Sequence, residues 1–144
     1  MEVPAPHFLI GRWTLESRDN VDAFLYARGL SWIIRKFALS FQADLEYAES
    51  EQPEHVIKKT HSYMGVREET LPFPGSYEPA RTLSGKPEVG VVYFEGSDCV
   101  VQEMKCKETG DVLARIERRV IEGKLYVTLT CGDVIAHEVY SKMT

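Results

Sequence analysis

Arg118 is a cation on what should be an apolar strand face. Residues 114–123 read ARIERRVIEG. In an extended strand Ala114, Ile116, Arg118 and Val120 share one side, and Arg115, Glu117 and Arg119 share the other. A guanidinium turned inward keeps its proton, so it needs a counter-charge inside the fold. The chemistry this implies is electrostatic pairing around a buried cation. Little else in the chain suggests reactivity. His7, His55, His61 and His137 lack metal-ligand spacing, and no G-x-S-x-G or P-loop motif is present, which argues against an enzyme. Cys99, Cys106 and Cys131 are odd in number and lack C-x-x-C spacing. They read as free thiols, with no disulfide framework, zinc site or other cofactor implied.

Such an arginine has to be held by strands, and the second half of the chain supplies them. From residue 85 onward, turn signals recur at Gly96, Gly110, Gly123 and Gly132. Between them lie the short alternating runs VGVVYF, CVVQEMKC, VLARIERRVI, LYVTLT and VIAHEVY, the pattern of consecutive antiparallel hairpins. Upstream, ALSFQADLEYAES, HVIKKTHSYMG and the region of REETLPF read as further strands, and LPFPGSYEPARTLSGKP reads as loop. Helical periodicity is confined to one place. Asn20 is a candidate N-cap for a segment carrying Val21, Phe24 and Leu25 and closing at Arg28-Gly29. Leu30, Ile33, Ile34 and Phe37 then repeat the amphipathic spacing. An all-β chain of this kind must close its sheet or fold it into a sandwich, and a barrel can enclose one small apolar ligand.

At 144 residues and 44% hydrophobic content, the expectation is one domain over 1–144 with a helical lid at about 20–40. A net charge of −5 does not favour nucleic acid as a partner. MEVPAPHFLIG has no basic n-region or long apolar run, so cytoplasmic residence is expected.

Two distant motifs carry a resemblance. GRWTLESRDNVDAFL, residues 11–25, is similar to the N-terminal signature of the intracellular lipid-binding proteins, which include fatty-acid-binding and cellular retinoid-binding proteins. Val21 stands where an aromatic residue is usual. RRVIEGKLYVTLTCGDVIAHEVYSK resembles the family's last three strands without a gap, and YARGLSWIIRKF is similar to the nematode fatty-acid-binding branch. The resemblance spans about Phe8 to Lys142. It implies an all-β, ten-stranded antiparallel up-and-down β-barrel, lipocalin-like, with a helix-turn-helix lid.

The resemblance also implies where a ligand would sit. In fatty-acid-binding members, an arginine on the eighth strand and an Arg-x-Tyr pair on the last strand hold a carboxylate. These positions fall on Arg118 and Tyr140, but the second arginine is replaced by Glu138. If Glu138 pairs with Arg118, the site is nearly neutral and suits an amide, alcohol or monoacylglycerol. If Glu138 is protonated or turned aside, Arg118 and Tyr140 suit a fatty acid. The pair can also be a purely internal link between strands. Strand parity adds Ile116, Val127 and Leu129 to the expected ligand contacts, with Val120, Ala114 and Ala136 lining the same wall and Trp13 closing the barrel. Tyr63 matches a portal aromatic, with Met64 beside it.

The function expected is non-covalent carriage of a long-chain fatty acid or related lipid. Membrane contact through Arg28, Arg35 and Lys36 would serve its exchange. The alternative is a signalling module that carries a neutral derivative or retinoid to a nuclear receptor, with nuclear entry. The family suggests a monomer.

Overall fold

Alternating runs and glycine turns build the sheet as the sequence reading expects. The computed structural model describes residues 8–40, 42–62 and 65–143. The chain order is β1 (Gly11–Asp19), α1 (Val21–Ala27), α2 (Trp32–Leu39), β2 (Asp44–Glu49), β3 (His55–Ser62), β4 (Gly65–Pro72), β5 (Gly75–Tyr77), β6 (Glu88–Phe94), β7 (Cys99–Cys106), β8 (Val112–Ile121), β9 (Lys124–Cys131) and β10 (Val134–Lys142).

The ten strands form one sheet in the order β4-β3-β2-β1-β10-β9-β8-β7-β6-β5. Pairing of β1 with β10 rolls the sheet into a nearly closed antiparallel barrel. The break lies between β4 and β5, where no ladder forms. Tight hairpins set the register. At the β8–β9 turn, Ile121 pairs with Lys124, and Glu122 and Gly123 both take positive φ, 49° and 79°, as a two-residue I′ turn requires.

One packed core cluster joins strand residues to Val21 and Phe24 of α1. Leu9, Trp13, Leu71 and Leu125 are fully buried, and Tyr47 and Phe73 nearly so. The Trp13 indole donates to the Leu9 carbonyl at 2.9 Å, which fits the expected closing role.

The helices differ from expectation in two respects. Asn20 does not cap α1 with its side chain; its φ is 63°, and its amide donates instead to the Ile135 carbonyl at 2.9 Å. The α2 stripe does not reach a core, and Trp32, Ile33, Ile34 and Phe37 are each at least half exposed. A helix laid over the mouth of a hollow barrel has no packed layer beneath it. The segment read as loop also contains the short strand β5.

Candidate functional site

The inner wall of β8–β10 follows the expected parity. Ala114, Arg118, Val127, Leu129, Ala136 and Tyr140 are buried, while Ile116 and Val120 pack partly buried against the same core. The Arg118 side chain therefore lies within the barrel, and among the described residues no carboxylate bonds to it. Its Nη1 donates to Gln102 Oε1 at 2.8 Å.

Of the arrangements left open for Arg118, direct pairing with Glu138 does not form. Arg118 opposes Val127, and Val127 opposes Glu138, so the two charged residues stand two strands apart, about 9.6 Å. On its other side Glu138 opposes Arg18, and the Arg18 Nε lies 3.2 Å from Glu138 Oε2. Parity along an unbroken β1 would put Arg18 outside, since Trp13 and Leu15 face in. The register of β1 against β10 shifts between Leu15 and Ser17, and this bulge turns Arg18 inward. Tyr140 then donates its hydroxyl to Glu138 Oε1 at 3.1 Å. Burial, followed by the Glu138 charge, pushes the Tyr140 pKa far above the usual tyrosine value.

A second polar chain runs from Arg118 in the opposite direction. Gln102 sits on the inner face of β7, where it donates through Nε2 to the Tyr77 hydroxyl. Tyr77 on β5 opposes Gly90 on β6, and a Cβ at Gly90 would clash with the edge of the Tyr77 ring. The missing side chain lets the phenol cross that strand. Burial, with the Glu69 charge next, pushes the Tyr77 pKa up to about 12.

Tyr77 also lines a cavity of about 1000 Å³ at the mouth. Its walls come from α2 through Phe37, from the inner faces of β3 and β4 through Lys58, Thr60 and Glu69, and from the segment after β5. The residues expected from β8–β10 do not line this cavity. Tyr63 and Met64 lie outside the described residues.

The basic cap expected on the lid is corrected in part. Arg28 is buried, and its Nη2 lies 3.0 Å from Glu88 Oε1 at the start of β6. Arg35 folds back, with Nε 2.9 Å from Asp22 Oδ1, Nη1 donating to the Leu30 carbonyl at 2.7 Å, and its guanidinium over Tyr26. Lys36 stays exposed, with its ammonium over the Trp32 ring. An isolated arginine with no visible partner in the sequence looks solvent-facing; here the partner lies 60 residues away on strand β6.

Sequence reasoning missed Arg18, Gln102, Tyr77 and Glu88. Gln102 was legible, because alternation in CVVQEMKC puts it on the face of Val100 and Met104. Tyr77 lay in the segment read as loop, and the bulge hid Arg18.

Comparison with known proteins places this arrangement in context. No family model matches the chain. Fatty acid-binding protein type 3 of Fasciola hepatica is 26% identical over 134 residues, covering 93% of this chain and 97% of that protein. Retinol-binding protein 5 of Pongo abelii is 28% identical over 142 residues, covering 96% and 98%. Among solved structures, the Schistosoma mansoni fatty acid binding protein in complex with arachidonic acid superposes with a TM-score of 0.82 at 20% identity, covering 98% of this chain and 100% of that one. In sequence along nearly its whole length, and in fold, the chain is similar to the intracellular lipid-binding proteins, which bears out the resemblance carried by its two end motifs.

Proposed function

We propose that this protein is a non-covalent carrier of a long-chain fatty acid, with the ligand inside the barrel and its carboxylate directed to Arg118. One observation carries the reading. Arg118 is 4% exposed, and among the described residues its hydrogen-bond partner is the neutral Gln102. Glu138 is engaged by Arg18 instead. Arg118, Arg18 and Glu138 together leave one positive charge on the inner wall, and a bound carboxylate would balance it.

The fatty-acid and retinol names of the relatives, at 26% and 28% identity, support a lipid as cargo. Apolar burial at about 25 cal/mol per Å² would supply most of the affinity, with the polar groups choosing the headgroup. Exposed Trp32, Ile33 and Phe37 on α2 suit exchange at an apolar surface such as a membrane. No helix among the described residues is long and apolar enough to cross one. Cytoplasmic residence and a monomer fit this role.

The test is a binding comparison between oleate and oleoylethanolamide. Oleate should bind roughly tenfold tighter, about 1.4 kcal/mol, and Arg118→Met should abolish the difference. Equal affinity of the unaltered protein for both would overturn the headgroup reading.

A further inference from the structure

We propose that Tyr77, rather than Tyr140, supplies the hydroxyl that receives the ligand carboxylate alongside Arg118. The inference rests on the fatty-acid reading above and assigns the second polar contact of the same site.

A phenol has one proton to donate. Tyr140 gives its proton to Glu138 Oε1, and Glu138 is held on its far side by Arg18. For Tyr140 to serve a ligand, it would have to abandon a charge-assisted bond inside the barrel. The bulge in β1 that brings Arg18 inward thus ties up this hydroxyl.

Tyr77 is in the opposite condition. Arg118 donates to Gln102 Oε1, which orients the amide so that Nε2 donates to the Tyr77 oxygen. The chain of donors runs outward from the guanidinium and ends in the Tyr77 proton. That proton faces Met104 Sδ at 3.8 Å, a weak acceptor. A carboxylate is the strong acceptor this chain lacks, and Tyr77 stands on the cavity wall where one would arrive. Arg118 is close enough for its charge to act on the Tyr77 hydroxyl, so a carboxylate at Tyr77 would also feel that cation. The opposing charges are Glu69, whose neighbour across the β3–β4 ladder is Lys58, and Glu88, which is paired with Arg28. Gly90 leaves room for the ring to hold this position.

The experiment measures oleate and oleoylethanolamide affinities of Tyr77→Phe and Tyr140→Phe, with thermal melting as a folding control. Tyr77→Phe should weaken oleate roughly tenfold, the loss of one hydrogen bond to a charged group, and leave the ethanolamide within about twofold. Tyr140→Phe should leave oleate within about twofold. The reverse pattern, or an equal loss for both lipids in Tyr77→Phe, overturns the assignment. In the unaltered protein, oleate should shift the ¹³Cζ resonance of Tyr77 and leave that of Tyr140 in place; a shift confined to Tyr140 also overturns it. Oleate binding that survives in both variants sinks the Tyr77 role alone. Absence of binding of either lipid by the unaltered protein sinks the carrier reading with it.

Discussion

Arg28 and Glu88 form an ion pair sealed from solvent. Arg28 closes α1 and Glu88 opens β6, with Nη2 at 3.0 and 3.3 Å from the two carboxylate oxygens and side chains 5% and 1% exposed. Ser84, in the segment leading to β6, donates its hydroxyl to the second oxygen. The pair joins the first lid helix to the sheet across the mouth. By contrast, α2 buries no side chain and is held to α1 through Arg35 and Asp22.

Removing one partner of this pair leaves an uncompensated buried charge. Arg28→Met or Glu88→Leu alone should therefore cost about 3–5 kcal/mol of unfolding free energy. The double variant Arg28→Met/Glu88→Leu should recover most of that loss, because two apolar side chains can pack where two charges had to be desolvated. Urea unfolding of the four proteins measures the coupling. A double variant as unstable as the sum of the singles would show that the two side chains do not act as a pair.

At Gly90 the neighbouring phenol occupies the place of a side chain. Gly90→Ala should displace the Tyr77 ring and cost about 1–3 kcal/mol through overpacking. Adding Tyr77→Ala should relieve the overlap and restore part of the stability without restoring oleate affinity. Melting and binding measurements on the single and double variants separate the two effects. Unchanged stability in Gly90→Ala would mean that the ring is not held against β6.

Two inward tyrosines make stability sensitive to alkali. Burial is the first cause of the raised pKa at both Tyr77 and Tyr140, and nearby carboxylates add to it. For Tyr77 the folded value is about 12 against 10.0 for an unperturbed tyrosine. A folded pKa above the unfolded one means that the native state binds the proton more tightly. Its contribution is fully present below pH 10 and is lost as pH rises towards 12. Tyrosine absorbance at 295 nm should show Tyr77 and Tyr140 ionising late, with Tyr93 also raised by burial and the Glu103 charge, and denaturant midpoints should fall across that interval. Tyr77→Phe should remove one of the late groups and flatten the decline. Normal ionisation of every tyrosine would contradict their burial.

The sequence by itself determined the strand runs, the hairpin turns, the helical pair and the inward face of Arg118. Each depends on period, turn chemistry or a local motif, and all of these are carried by neighbours along the chain. Alternation from Ala114 to Val120 is enough to aim Arg118 into the barrel, whatever surrounds it. Tertiary structure alone decided the partners. Arg18 meets Glu138 because barrel closure brings β1 beside β10 and a bulge reverses the strand's parity. Arg28 meets Glu88 because α1 folds back over the mouth, and Tyr77 reaches Gln102 across the space left at Gly90. Parity tells which side of a strand a charge occupies only while the strand runs unbroken. Which charge it finds there depends on contacts between elements 60 to 120 residues apart.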